Sequence, residues 1–469
     1  MIVFILTHVN PWLPANVHMD SMTTPYQQLL DRDSRPVPPS LREEHPLHAP
    51  DTPIDAQRYY DPDFLAREAK AVWPHAWQMA CREEDIAHPG DVTTYDILDL
   101  SALIVRTKDG QIRAYRNACL HRGRKLMEGS GKVEAIRCGF HGWTWSLDGD
   151  LNSLPCRDQF AHLADEELAL PRIACETWGG FVFVNFDPEC GTLSDYLGPL
   201  PEHFARWRLE DCYKSAHVAK VIACNWKVAQ EAFMESYHVI ATHPQILPFF
   251  DDCGSQYDVL GKHVNRNLAA FGAASPHMGA DASESAVVAG MLEMWGRDAG
   301  DLPSRAEQEG SRKLLGDVAR RALGRGLEGG LEQACDAEML DALVYNVFPN
   351  FAPWAGFAPN IVYRWRPNGH DPDSCIMEVM MLKRLAKGAP RPESAPVHWL
   401  NEGEAWSDAS ELPILGPVID QDMANMPLVQ KGLKTSASGV VHLASHMESR
   451  IRHFHRTLDH YLDRYAPNQ

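Results

Sequence analysis

The chain has 469 residues, a formal charge of −19 and 45% hydrophobic residues, thirteen of them tryptophan. That length exceeds one ordinary core, so two domains are expected, and so acidic a surface excludes nucleic acid and anionic membranes as partners. No apolar run approaches the roughly 18 residues of a spanning helix, and the eleven cysteines, scattered singly apart from Cys119 and Cys138, imply a reduced, cytoplasmic setting rather than a disulfide framework.

The opening run Met1 to Leu6 is apolar but short, lacks a basic flank and meets His8 and Pro11, so it makes a poor signal peptide. Met19 and Met22 are alternative starts, and residues 1–22 read as an accidental extension or a disordered tail. Pro36, Pro38, Pro39, Pro46, Pro50 and Pro53 argue against helix and sheet, which leaves an extended arm that wraps a neighbour or its own domain. Residues 61–73 are helical, with Leu65, Ala69 and Val72 on one face and Pro74 at the end. From Trp77 to Asp187 the pattern turns to short strands. Residues 103–107 and 111–115 flank the turn at Asp109-Gly110, a second Asp-Gly follows at 148–149, and residues 179–185 read as a buried closing strand.

The first constellation lies inside this β module: Cys119-Leu120-His121 and, after a gap of sixteen residues, Cys138-Gly139-Phe140-His141. Two tight loops at the tip of a hairpin would turn both thiols and both imidazoles toward one centre. Such a set suits a [2Fe-2S] cluster with thiolates on one iron and imidazoles on the other, and it also suits zinc. Gly123 and Gly142 let backbone amides approach sulfur, and Trp143 supplies an aromatic lid. CLHRG with CGFHGW resembles the Rieske proteins. The respiratory-chain members carry an extra cysteine in each loop, where Arg124 and Phe140 stand here, so the likeness is to the ferredoxin and oxygenase branch.

Pro188 and the Gly/Pro/Leu-rich stretch to Pro201 mark a boundary. Beyond it, 215–223 reads as strand, 303–345 as helix-rich with Leu314, Leu315, Val318, Ala322 and Leu323 on one face, and 270–300 as a mobile loop. Gly324, Gly326, Gly329 and Gly330 interrupt that helical stretch. Residues 346–366 and 375–382 read as sheet, and Ile451, Phe454, Leu458 and Leu462 make an amphipathic closing helix.

The second constellation is Asn225-Trp226-Lys227, Glu231, Glu235, Tyr237, His238 and His243 before Pro244. Two His and a carboxylate form the facial triad of non-haem Fe(II) oxygenases. On a regular helix, five residues at ~100° each put His243 about 140° away from His238, so a break or widened turn is expected at Val239 to Thr242, helped by Pro244. The whole run resembles the catalytic domain of Rieske oxygenase α subunits, and the likeness extends from about residue 58 to the C-terminus.

That resemblance implies an α+β fold. Its parts are an arm over 1–56, an all-β Rieske [2Fe-2S] domain over 57–187 and, over 188–469, a helix-grip (START/SRPBCC-like) mononuclear iron domain with an antiparallel sheet. It implies Cys119, His121, Cys138 and His141 on the cluster, and His238, His243 and a late Asp on Fe(II). Asp422, in register with Gln430 and Gly432, is preferred to Asp420. Glu235 links His238 to His141 of a neighbouring subunit, while Asn225 and Tyr237 flank the iron. It implies a terminal oxygenase that hydroxylates, dihydroxylates or dealkylates a hydrophobic, aromatic small molecule, using O2 and electrons from a separate NAD(P)H-dependent reductase with or without a ferredoxin. It implies a homotrimer, with a β subunit as the other option. Phe233, Met234, Phe348, Phe351 and Trp354 are candidate pocket walls, and 250–345 is a candidate lid. The rival reading is a Rieske-type electron-transfer protein with no catalytic iron.

Overall fold

The computed structural model describes residues 25–467 except 326, 328–330 and 387. The alternative starts and Gly326, Gly329 and Gly330 lie outside the described residues. The Asp109-Gly110 turn joins Leu100–Arg106 to Ile112–Arg116, with Gly110 at φ 85° as such a turn demands. These two strands sit in a seven-stranded antiparallel sheet with Gln78–Arg82, Asp91–Ile97, Gly131–Lys132, Arg172–Trp178 and Phe181–Asn185. A smaller sheet of Ile136–Arg137, Thr144–Trp145 and Leu151–Ser153 carries the second Cys/His loop.

The C-terminal part is built on eight strands. Seven of them, from Cys212–Ile222 to Asp371–Arg384, pair antiparallel, and His398–Leu400 adds a parallel edge. The closing helix Ser449–Tyr465 packs its Ile451, Phe454, Leu458 and Leu462 face into the core and touches the strands Phe250–Val259 and Val264–Phe271. Burying four such side chains contributes roughly 6–12 kcal/mol before entropy is counted.

Three expectations need correction. The proline-rich arm holds a helical turn, Pro39–Arg42, because proline at the first helical position gives up an amide that has no partner there anyway. The arm also lies on its own chain: Tyr26, Leu29, Leu30 and Leu41 are buried, and Asp33 pairs with Arg312 at 2.9 Å. Residues 270–300 are not a loop; Ser283 caps a helix Glu284–Met294 that buries Val287, Val288, Met291 and Leu292. In the helix Ser311–Leu323, Leu314, Leu315 and Val318 are buried but Leu323 is 41% exposed, since five residues past Val318 is ~140° around the axis.

Charged groups pin the two parts together. Arg364 pairs with Glu378 at 2.6 Å and donates to the Met79 and Ala80 carbonyls at 2.9 and 2.8 Å. Lys214 meets Asp85 at 2.7 Å. Burial alone would raise the Asp85 carboxyl, but Lys214 and Ser394 outweigh it and hold it below its ordinary value. A lowered carboxylate contributes stability that is complete above the ordinary range and is lost as pH falls through the folded-state pKa. Asp85→Asn should therefore destabilise the protein at about pH 7 and flatten the stability loss toward about pH 4, as read from urea midpoints at the two pH values.

Candidate metal centres

Each Cys/His loop closes on itself. The Cys119 amide donates to the Arg124 carbonyl at 2.8 Å and the Gly123 amide to the Cys119 carbonyl at 2.9 Å; Cys138 to Trp143 and Gly142 to Cys138 repeat the pattern at 2.8 and 3.0 Å. Gly123 and Gly142 stand at φ 73° and 79°, and nothing lies within 4 Å of a Cβ built on Gly123, so backbone conformation rather than space calls for glycine there. Both thiols are buried. Burial would raise Cys138, but the amides of Phe140 and His141 together with Arg124 bring it below its usual value, whereas burial leads in pushing Cys119 up.

The imidazoles sit at the open tip. His121 Nδ1 and His141 Nδ1 are 3.2 Å apart, close to the ~3.4 Å edge that two ~2.1 Å metal–nitrogen bonds give at a tetrahedral ion. Trp143 is a floor rather than a lid: it is buried and stacks under His121 at 5.1 Å. Phe140, 55% exposed, lies against His141. Among the described residues, the only trios of ligand atoms within 4.8 Å of one another are His238/His243/Asp422 and Asp252/Cys253/His277. The four Rieske-type positions do not converge on one point as structural zinc requires, and a two-iron cluster with sulfur at one end and nitrogen at the other fits them.

The second centre begins at Asn225, which caps the helix Trp226–Glu231. The chain then leaves helical geometry through Ala232 to Tyr237, and Val239–Thr242 forms a single helical turn. The expected break at Val239 to Thr242 is therefore displaced: it precedes His238 and recurs at His243, which sits at φ −125°, ψ 48° before Pro244. That single departure turns the second ring toward the first, with ring centroids 5.2 Å apart.

Asp422, on the helix Leu415–Thr435, completes the trio. Its Oδ1 is 3.0 Å from His243 Nε2 and 3.6 Å from His238 Nε2. Asp420 points elsewhere and accepts the Trp406 and Ser407 amides at 2.7 and 3.1 Å. Glu235 Oε1 takes His238 Nδ1 at 2.6 Å, and Gln421 Oε1 takes His243 Nδ1 at 2.8 Å while also accepting Gln245 Nε2 at 2.7 Å. Both imidazoles thus spend their proton on Nδ1, which leaves two bare Nε2 lone pairs facing a carboxylate oxygen. Three acceptors with no proton among them repel unless a cation stands between them, and Fe(II) fits that set. Burial would lower His238, but Glu235 and Asp422 outweigh it and favour a second proton on the ring, the proton that a cation bound at Nε2 would displace.

The sequence reading missed Gln421 and Gln245. Gln421 lies between the two competing aspartates, and only the fold shows that it faces His243. Asn225 does not flank the trio: its oxygen caps Lys227 N at 3.1 Å and its amide donates to the Pro372 carbonyl at 2.9 Å. Tyr237 is 53% exposed, outside the cavity that touches His238 and Asp422. Of the proposed walls, Phe351 packs on Phe181 and Phe183, Phe348 stacks on Tyr461 and Met234 is core. Phe233 and Trp354 remain half-buried against Tyr363. The helices of 284–340 form a cluster of their own and do not line that cavity.

Glu235→Gln should cut turnover ~10–100-fold with iron content kept, the ordinary cost of losing an outer-shell partner. Turnover with iron quantified on the same sample checks it, and unchanged turnover would remove Glu235 from the working site.

A family model described as "Rieske [2Fe-2S] domain" matches residues 76–171, and one described as "Ring hydroxylating alpha subunit (catalytic domain)" matches residues 202–464. The chain is 30% identical over 189 residues to the carnitine monooxygenase oxygenase subunit of Acinetobacter baumannii, covering 40% of this chain and 51% of that one. It is 29% identical over 284 residues to the large oxygenase component of the naphthalene 1,2-dioxygenase system of Pseudomonas putida, covering 56% and 60%. It therefore spans about half the length of the curated relatives it matches. A quaternary ammonium Rieske monooxygenase structure superposes with TM-score 0.62 at 18% identity over 87% of this chain and 95% of that one; naphthalene 1,2-dioxygenase from a Rhodococcus species does so with 0.60 at 20% over 88% and 95%. With the catalytic-domain match alone covering more than half of the sequence, the chain belongs to the Rieske-type ring-hydroxylating oxygenase α-subunit family, whose cofactors are a [2Fe-2S] cluster and non-haem Fe(II).

Proposed function

We propose that this protein is the terminal oxygenase of a multicomponent system, fed from NAD(P)H by a separate reductase with or without a ferredoxin. The observation that carries the reading is the convergence of His238 Nε2, His243 Nε2 and one Asp422 oxygen, with both Nδ1 atoms already bonded. When bound, the cluster supplies electrons one at a time and the mononuclear iron supplies O2 activation. The residues do the rest. Glu235 and Gln421 hold the two rings, and Asp422 supplies the charge. The exposed edge of His121 and His141 supports electron exchange across a protein surface, in a homotrimer where Glu235 bridges to His141 of the next chain.

Near the trio, Phe233, Tyr363, Trp365 and Trp354 make a chain of aromatic contacts in and against the core, and burial followed by the Asp422 charge raises the Tyr363 hydroxyl. This supports a hydrophobic, aromatic substrate. A second reading, a quaternary ammonium compound, draws on the cavity against His238, where apolar Val228, Met426 and Ile451 meet the carboxylates of Glu231, Glu235 and Glu448. Its support also includes the likeness to the carnitine monooxygenase oxygenase subunit. Reductase-coupled O2 uptake on a panel of both classes tests the proposal. Uptake matched to product from one class is expected, with about three irons per chain. Two irons and no uptake with any substrate would favour the electron-transfer reading.

A further inference from the structure

The second trio shares no residue with either iron centre and has no role in the oxygenase reading. Strand Phe250–Val259 pairs with Val264–Phe271, but the register slips between Asp251 and Gln256, so residues 252–255 leave the ladder. Asp251 Oδ1 accepts the amides of Cys253 and Gly254 at 3.1 and 2.8 Å, which curls the bulge. Across from it, Ser275 Oγ accepts the His277 amide at 3.1 Å and starts the turn Pro276–Asp281. Cys253 Sγ then lies 3.3 Å from His277 Nε2, which is 3.6 Å from Asp252 Oδ2.

Those spacings match an empty tetrahedron. Metal bonds of ~2.3 Å to sulfur and ~2.0–2.2 Å to nitrogen and oxygen give edges of about 3.3–3.6 Å. The charge balance also asks for a cation. Asp252 is 2% exposed, its Oδ1 is buried with no partner, and His277 Nδ1 is likewise unpartnered. Among the described residues, no lysine or arginine pairs with Asp251 or Asp252. A buried carboxylate without a counter-ion is costly, and a divalent metal removes that cost.

We propose that Asp252, Cys253 and His277 hold one divalent transition-metal ion, zinc by ligand type, distinct from the catalytic iron. One thiolate, one imidazole and one carboxylate make a mixed set that takes zinc readily, with a fourth position open to water. The ion ties the bulge to the Pro276–Asp281 turn. Ser255 in that bulge bonds Ser236 Oγ at 3.3 Å, and the Tyr257 hydroxyl accepts the Ser236 amide at 3.2 Å. Ser236 directly follows Glu235, so the site buttresses the loop that carries Glu235 and His238.

The test is metal content of the iron-loaded holoprotein after desalting, with cobalt as an optical probe. About one zinc per chain is expected beside about three irons. Cys253→Ser and His277→Gln should each lose the zinc and keep the iron. Stoichiometric Co2+ added to zinc-stripped wild-type holoprotein should give a thiolate-to-metal band in the near-ultraviolet difference spectrum, and zinc should slow alkylation of Cys253. These two wild-type readouts do not depend on either variant folding. A wild-type protein that shows no such band and an alkylation rate indifferent to zinc overturns the proposal; so does zinc content equal in the wild type and both variants.

Discussion

Asp422→Ala is expected to lose at least ~100-fold in turnover, beyond the range that outer-shell changes cost, and to lose about one of three irons. Asp420→Ala should keep both. The two aspartates lie two positions apart on one helix, which places them ~200° apart around its axis. Only Asp422 brings an oxygen to both Nε2 atoms, at 3.0 and 3.6 Å. Without it, two neutral imidazoles remain to hold a divalent ion in a cavity with no carboxylate ligand. Asp420 ties the Trp406 and Ser407 amides to the helix, so its loss costs about 1–3 kcal/mol of stability instead. Iron content, turnover and melting temperature on both variants separate the roles. Full iron retention in the Asp422 variant would refute the ligand assignment.

Cys138→Ser should be colourless and retain about one iron per chain, with no reductase-coupled turnover. Cys138 is buried and its loop is closed by its own amide and carbonyl, so serine fits the space. What changes is the ligand: the amides of Phe140 and His141 that favour a thiolate find a neutral hydroxyl. His141→Ala should act alike, although that ring is exposed. If the Cys138 variant stayed brown with three irons, the ligand set would have to be sought elsewhere.

The chemistry was legible because it is local. Cys-x-His and Cys-x-x-His constrain a tight loop by themselves, and His238 with His243 and Pro244 announced a helix that could not stay regular. The position of the break was misplaced by a few residues, because Pro244 restrains only its predecessor while the irregular run Ala232 to Tyr237 carries no comparable breaker. The 270–300 segment misled for a similar reason. Its Ala, Gly and Ser content resembles a linker, and its helix is stabilised by partners such as Leu314, Leu315 and Phe249, which come from far along the chain.

The sequence by itself determined the two ligand-bearing motifs, the β-then-mixed order of the domains, the closing helix and the acidic surface, since each depends on neighbours within a few residues. Only the tertiary structure decided that Asp422 rather than Asp420 meets the histidines and that Gln421 orients His243. The same is true of Asn225, which serves as a cap rather than a neighbour of the iron, and of Asp252 and Cys253, which face His277. These depend on which side of a helix or bulge comes to face a segment that can lie more than a hundred residues away, and that is set by packing of the whole core rather than by any local pattern.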